Sequence, residues 1–566
     1  MHGQWEGPFD LGSLIKYPLP TPPGGTNPEG EIAHACVLPV GEYAGQVLLW
    51  CWPDADSSPY IPQTYIWDPN DPRGPVNLDI QPVPAELDGS EDIFCAGHSF
   101  LPNGDLLAPG GRDFTFTGAT GVADAFLFQQ ASGTWMKLPN AMARDHYYPS
   151  TVRNRDGNIV VLGHTDSGEP PPLTPTTEQI REEYDVLTGA FLPLDENQDF
   201  ASGCVTTDDY IAISDYPKVF ALSNNSLLWV DAENRPPVPD PPLHTSYVID
   251  LEQPACPSGP GELFRWEQGV ETPHLAQHAG GNAVHMLFLD NTGSVSNEVI
   301  YNMGGTEHPF DDGSACEAPV INLVEVLDVP AGPPDQAPSE TTVWDDLGVP
   351  DMRYERFNSN AVVLLDGSIL IVGGLGKDAA SVCTGWLRPE RFEPPEVFGP
   401  GALLNWTLLA PQQLKRLYHS VAALLQDGRV MSAGGRGTGS PSPSHSIEVF
   451  KPSYFFRSKR PSIDTVDSVV SYGSLSFLTI TVSATHSAID RVALLSPSSV
   501  THTAAFDQRY MELSFTEFSP PTGSPPQLTL EVTWPKDSDV APEGYYLLTA
   551  VDINDVPSPA VIVKLQ

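Results

Sequence analysis

Four short stretches of the chain carry residue types that could hold a metal and do redox chemistry. They are Asp92–Ile93–Phe94–Cys95–Ala96–Gly97–His98, Arg144–Asp145–His146–Tyr147–Tyr148–Pro149–Ser150, Arg416–Leu417–Tyr418–His419–Ser420, and Val500–Thr501–His502–Thr503 running on to Asp507–Gln508–Arg509. Taken singly, each has an ordinary explanation. A lone cysteine is usually a small buried hydrophobe. A tyrosine is usually a core aromatic with a satisfied hydroxyl, and a loop histidine a surface residue. Taken together, two imidazoles and two phenols make a tetragonal nitrogen and oxygen donor set, which suits Cu(II). Zinc prefers tetrahedral Cys/His sites. Adjacent strand residues point to opposite faces. Tyr418 and His419 can therefore meet one metal only near a strand end, where the backbone turns.

Such a set needs elements that bring distant segments to one point. A phrase of turn, apolar run and Gly-Gly returns along the chain. Its copies are Asn103–Gly111, Asp156–Gly163, Val299–Gly305, Asp366–Gly374 and Asp427–Gly435, with Gly45–Trp50 as a weaker first copy. Each Asn-Gly or Asp-Gly marks a tight turn. The run after it reads as a buried strand, and the Gly-Gly lets backbone pass where a side chain would clash. Trp135, Trp344 and Trp406 end the stretches that follow. A spacing of about 50 residues is the kelch pattern, one four-stranded propeller blade per copy. The expectation is an all-β chain whose residues 1–451 form a seven-bladed kelch-type β-propeller. The pattern is least clear from about 170 to 295, where Asn224–Val230 reads as a degenerate blade. After Phe450 the strands Leu475–Val482, Arg491–Leu495, Leu528–Val532, Tyr545–Val551 and Ala560–Lys564 predict an immunoglobulin-like β-sandwich over residues 452–566. Glu169–Pro175 and Arg235–Pro242 read as proline-rich surface loops. Three of the four chemical phrases fall just before the second strand of a blade, positions that converge on a propeller's central channel.

Composition narrows the function classes. With 28 Lys+Arg against 72 Asp+Glu the net charge is −44, which repels nucleic acid and anionic membrane surfaces. No apolar run approaches the length of a membrane span. Met1–His2–Gly3–Gln4–Trp5 has no basic or apolar leader region, so the chain reads as a mature form or one retained in the cell. The seven cysteines, Cys36, Cys51, Cys95, Cys204, Cys256, Cys316 and Cys383, contain no CxxC pair, which argues against a zinc ribbon. No GxGxxG opens a helix to suggest a nicotinamide.

The joint constellation resembles the galactose oxidase and glyoxal oxidase family of copper radical oxidases. The resemblance runs from Gly3–Gln4–Trp5–Glu6–Gly7–Pro8–Phe9–Asp10 to Ala541–Pro542–Glu543–Gly544–Tyr545–Tyr546–Leu547–Leu548. Its most specific pieces are Phe94–Cys95, Tyr418–His419–Ser420, Thr501–His502–Thr503 and Asp507–Gln508–Arg509. It implies one copper ion and a protein-derived Cys-Tyr thioether radical. On that likeness Cys95 forms the thioether, and Tyr148 carries it as equatorial ligand and radical. Tyr147 competes with Tyr148, but the tyrosine beside the proline is the better match. Tyr418 is the axial ligand and base, and His419 and His502 are the equatorial imidazoles. The implied reaction oxidises a primary alcohol or aldehyde hydrate with O2 and releases H2O2. The implied partners are a small alcohol, aldehyde or carbohydrate and O2, and the expected form is a secreted monomer. Removing Cys95 leaves six cysteines, whose pairing stays open. Galactose oxidase carries a tryptophan over its thioether. Here the matching stretch is Leu162–Gly163–His164–Thr165–Asp166–Ser167–Gly168, so His164, Asp166 or a residue from elsewhere takes that place. The N-terminal carbohydrate module of galactose oxidase has no counterpart, and galactose is not expected as substrate. The competing readings are a catalytically inactive kelch-type protein binding a carbohydrate or protein, a hydrolase working through paired carboxylates, and a structural surface protein. All proposed ligands being present favours the oxidase. No Ser-x-Asp-x-Gly-x-Thr-Trp box supports a sialidase.

Overall fold

The computed structural model describes residues 2–12, 14, 30–53, 64–74, 76–81, 91–113, 121–164, 180–192, 216–232, 245–250, 264–267, 280–306, 319–329, 344, 347–378, 382–395, 404–436, 442–457, 459–482 and 488–566. Within them the elements are strands and short 3-10 turns. Among the described residues no helix is long and apolar enough to cross a membrane. The proline-rich stretches Glu169–Pro175 and Arg235–Pro242, Asp166, and Cys204, Cys256 and Cys316 lie outside the described residues.

The repeated phrase builds the repeated sheet. In the last copy the Asp427–Gly428 turn closes through the Gly428 N–H donating to the Leu425 carbonyl at 2.8 Å. Gly428 sits at φ +92°, a region that favours glycine. The apolar run becomes Val430–Ala433, fully buried and paired antiparallel on both sides. The Gly-Gly then passes the neighbouring sheet so closely that a Cβ on Gly434 would lie 1.8 Å from the Ile32 carbonyl oxygen.

Seven antiparallel groups of strands follow this plan, consistent with the seven blades that the repeat implies. Their inner strands are Gly30–Val37, Ser99–Phe100, Tyr147–Arg153, Lys218–Ala221, Asn282–Leu289, Phe357–Val363 and Val421–Leu424. The doubtful stretch at Asn224–Val230 yields the strand Ser226–Ala232, the second strand of a four-stranded sheet. The three tryptophans seam neighbouring sheets: the Trp135 Nε1 donates to Thr64 Oγ1, that of Trp344 to Ser246 Oγ, and that of Trp406 to the Pro350 carbonyl. The last blade takes its fourth strand from the other end of the chain, since Gln4–Asp10 pairs with Ser446–Lys451.

The C-terminal strands form two facing sheets over a shared core that includes Leu478, Leu494, Leu530 and Trp534. Two pairings stitch this sandwich to the propeller. Tyr510–Leu513 lies parallel to Asn282–Leu289. The hairpin Ser499–Thr501 with Ala504–Ala505 lies against Gly30–Val37, so Thr501 faces His34, Val500 faces Ala35 and Ser499 faces Cys36.

A buried clamp recurs just ahead of three inner strands. The Glu390 carboxylate accepts the Arg353 and Tyr354 backbone N–H groups and pairs with Arg356 Nε at 3.0 Å. Glu448 does the same for Gln413, Leu414 and Arg416, and Glu182 for Ala143, Arg144 and His146. Each clamp holds the chain two residues before a left-handed or turning residue, which is how Tyr148 and Tyr418 come to be fixed. Removing one partner of a buried pair strands the other charge. Arg356→Leu is expected to cost about 3–5 kcal/mol of stability, read from the urea unfolding midpoint. A loss below about 1 kcal/mol would mean that the backbone bonds satisfy Glu390 unaided.

Candidate metal centre

The four phrases meet in one cluster of side chains. Tyr148 is the second residue of the inner strand Tyr147–Arg153, but at φ +48°, a conformation rare for a bulky residue. Tyr418 and His419 occupy the turn before Val421–Leu424, with His419 at φ +69°. His502 sits at the tip of the C-terminal hairpin at φ +45°, and Cys95 in a tight turn at φ +67°. Four strained backbones around one point are what a functional site stores when packing over-determines it. Tyr418 and His419 thus lie in a turn at a strand end, where adjacent side chains need not point to opposite faces.

The Tyr148 and Tyr418 hydroxyls are 2.9 Å apart. The His419 and His502 rings stand edge to face with centroids 4.4 Å apart. The His502 ring lies 5.2 Å from that of Tyr148 and 5.7 Å from that of Tyr418. Cys95 and Tyr148 share a buried cluster with Phe94, Tyr147, Tyr216 and Phe506. Tyr147 lies beside Tyr148, with ring centroids 4.2 Å apart. Tyr148 is the one whose hydroxyl meets Tyr418. Tyr418 is only partly buried, so the site opens on its side.

The donor state of His502 follows from its hydrogen bonds. Thr501 Oγ1 donates its single proton to the Ala33 carbonyl at 2.8 Å. It can therefore only accept from His502 Nδ1–H, 2.6 Å away. That leaves the lone pair of the neutral ring on Nε2, a buried atom with no hydrogen-bond partner. Desolvation, reinforced by His419, holds the imidazole well below its ordinary pKa. Desolvation also depresses His419, helped by Arg436 and Arg112. Two neutral imidazoles, one with a bare buried nitrogen, beside two phenols fit a Cu(II) ion by donor type. Among the described residues no group of three or more His, Cys, Asp or Glu is placed to hold a metal.

The surroundings add residues that the motifs did not reveal. Glu31 Oε2 lies 3.1 Å from His419 Nδ1 and 3.7 Å from Arg436 Nε. Burial pushes the Glu31 carboxyl up to about 7 against the opposing pull of Arg436. The Arg436 guanidinium lies over the Tyr418 ring, 5.7 Å from its centroid. Tyr216 takes the flank of Tyr148: its ring meets that of Tyr148 edge-on at 5.0 Å, and its N–H donates to the Tyr148 carbonyl at 2.8 Å. The side chain of His164 is not among those described, and Asp166 is outside the described residues. Tyr216 had one visible signal, since Tyr216–Pro217 repeats Tyr148–Pro149.

Comparison with known proteins gives this geometry its context. The family model of the galactose oxidase-like early set domain matches residues 460–565. The chain is 26% identical over 498 residues to the aldehyde oxidase GLOX of Vitis pseudoreticulata, covering 84% of this chain and 82% of that one. It is 26% identical over 541 residues to the galactose oxidase of Gibberella zeae, covering 92% of this chain and 67% of that one. The solved structure of a fungal alcohol oxidase in complex with copper superposes over 100% of both chains with a TM-score of 0.69 at 21% identity. Over most of its length the chain is thus similar to aldehyde (glyoxal) oxidases and galactose oxidases, its residues 460–565 match the galactose oxidase-like early set domain, and it shares the fold of a copper-containing fungal alcohol oxidase.

Proposed function

We propose that the protein oxidises a primary alcohol or an aldehyde hydrate with O2, giving the aldehyde or acid and H2O2, through one copper ion and a Cys95–Tyr148 thioether radical. The observation that carries this reading is the meeting of the Tyr148 and Tyr418 hydroxyls, 2.9 Å apart, with two neutral imidazoles. In this reading Tyr148, Tyr418, His419 and His502 hold the metal. Residues 1–451 supply three of these ligands and the 452–566 sandwich supplies the fourth. Copper so held would provide one-electron redox capacity and lower the pKa of a bound hydroxyl.

The remaining work falls to side chains. Tyr418, on the open side, takes the substrate hydroxyl proton. Tyr148, buried behind it and oxidised to the radical, removes the hydrogen atom from the carbinol carbon. The apolar wall of Phe94, Tyr216 and Phe506 shields that radical from water and reductants. A free phenol is a reluctant electron donor, and the ortho sulfur of Cys95 adds density to the ring. Forming the thioether breaks the Cys95 S–H bond and one Tyr148 ring C–H bond. The two protons and two electrons pass to O2. The disulfide at Cys383 supports an oxidising, extracellular setting for this chemistry.

The test is optical. Apo-protein loaded with Cu(II) in air and then oxidised is expected to show broad visible and near-infrared absorption, absent in Cys95→Ser. Copper binding without those bands in the wild type would indicate an inactive relative. No copper binding would leave the binding-protein reading standing.

A further inference from the structure

A second polar group lies buried behind Cys95, and the proposed chemistry does not use it. His34, His98, Cys36 and Ser499 are each at most 1% exposed. They come from three places: the inner strand Gly30–Val37, the Cys95 turn and the C-terminal hairpin. The Cys95 backbone N–H donates to His34 Nε2 at 3.3 Å. A nitrogen that accepts carries no proton, so the neutral His34 ring bears its hydrogen on Nδ1. That hydrogen faces His98 Nε2 at 3.2 Å. His98 Nε2 in turn accepts, which puts its own hydrogen on Nδ1. Ser499 Oγ, at 2.6 Å, and Cys36 Sγ, at 3.3 Å, stand ready to receive it. Ser499 Oγ–H closes the run by donating to the His98 carbonyl at 2.8 Å. One backbone N–H thus fixes the proton positions of two imidazoles. The Trp50 ring stacks on His34 at 4.4 Å and 13°, locking its plane.

We propose that His34 is a positioning residue for thioether formation: with His98 and Ser499 it pins both ends of the turn that carries Cys95 against the segment that carries Tyr148. The inference rests on the reading of Cys95 and Tyr148 as the thioether pair. The turn has no room to relax toward Tyr148, since a Cβ on Gly97 would lie 2.6 Å from the Pro149 carbonyl oxygen. Cys95 is held at φ +67°, a conformation that a non-glycine residue keeps only when its surroundings impose it. Bond formation between a sulfur and a ring carbon depends steeply on approach, and a misplacement of about 1 Å can cost roughly 100-fold in rate. Because Ser499 and His502 ride on one hairpin, seating that hairpin brings in a ligand and sets the cysteine together.

The readout is mass, not turnover. Copper-free reduced protein is given Cu(II) and O2, and the linked Cys95 and Tyr148 peptides are followed by the loss of two hydrogens. His34→Leu keeps the volume but removes acceptor and donor, and is expected to slow cross-linking about 10- to 100-fold. His34→Gln offers an amide oxygen to Cys95 and an amide N–H to His98, and is expected to stay within about 3-fold of wild type, an allowance below one decade in barrier terms. Copper affinity measured in a Cys95→Ser background should be the same with and without His34→Leu. Cross-linking at the wild-type rate in His34→Leu overturns the inference. So does a His34→Gln variant as slow as His34→Leu, because packing alone would then explain both. If His34→Leu does not hold copper, Ser499→Ala decides, since slower cross-linking supports the relay and an unchanged rate overturns it. A wild type that binds copper in air and never loses the two hydrogens overturns the thioether reading itself, a different result from cross-linking that ignores His34.

Discussion

Replacing His502 by alanine is expected to abolish tight copper binding while leaving the apo-protein folded. The reason lies in how this side chain is held. Its Nδ1–H is spent on Thr501, and its Nε2 lone pair is buried without a hydrogen-bond partner. A buried acceptor left unmade costs free energy, so the apo-protein gains no stability from this atom and loses little when it goes. A metal would satisfy it. Removing an outer partner of a metal ligand typically costs 10- to 100-fold in affinity, and removing a ligand should cost more than about 100-fold. Calorimetric titration of the apo forms with Cu(II) reads the effect, with thermal melts as the folding control. An affinity within about 3-fold of wild type, far short of that range, would take His502 out of the ligand set. The C-terminal sandwich would then lose its proposed part in the site.

Tyr418→Phe separates proton transfer from assembly. The partly exposed phenol stands 2.9 Å from the Tyr148 hydroxyl, on the side from which a substrate must come. A positioned general base contributes about 10²–10⁴-fold. The expected result is a fall of that size in kcat/KM, about 3–5 kcal/mol of barrier. Cross-linking of Cys95 to Tyr148 should persist, since His419, His502 and Tyr148 remain. Peroxide release on a small aldehyde or primary alcohol measures the first part, and peptide mass the second. Turnover within about 3-fold of wild type, outside the general-base range, would remove Tyr418 from the base role.

The parts of this architecture that were legible beforehand are those where backbone geometry dictates residue type. Asp427–Gly428 must be a turn and Gly434 must lack a side chain, because another strand's carbonyl occupies the space. Three of the four candidate phrases could be placed through the same frame, since each lies just before the second strand of a blade, whereas the phrase with His502 lies in the C-terminal domain and outside it. What stayed hidden depends on pairing across the molecule. Glu182, Glu390 and Glu448 follow their His or Arg partners by 36, 34 and 32 residues, a regular offset that means nothing until the third strand is laid beside the first. Glu31 and His34 are single polar residues in an apolar strand, and their partners, His419 and Arg436 for the one and the Cys95 turn and His98 for the other, come from distant segments that only the fold brings to it. Tyr216 lay in the stretch where the repeat is faintest, although its Tyr-Pro dipeptide copies the one at Tyr148.

The closing of the last blade by Gln4–Asp10 has a consequence for how the protein is made. Gln4 pairs with Lys451 and Asp10 with Ser446. At about 5–20 residues per second, the ribosome delivers the second partner roughly 20–90 seconds after the first. For that interval an early strand carries an unsatisfied edge, the kind of surface on which nascent chains adhere to one another. Its residues Trp5 and Phe9 are apolar, and Trp5 reaches its final partners, the Phe450 ring and the Ala410 carbonyl, only when the ring shuts. Production of this protein should therefore be limited less by its final stability than by what shelters the strand Gln4–Asp10 until the last blade arrives.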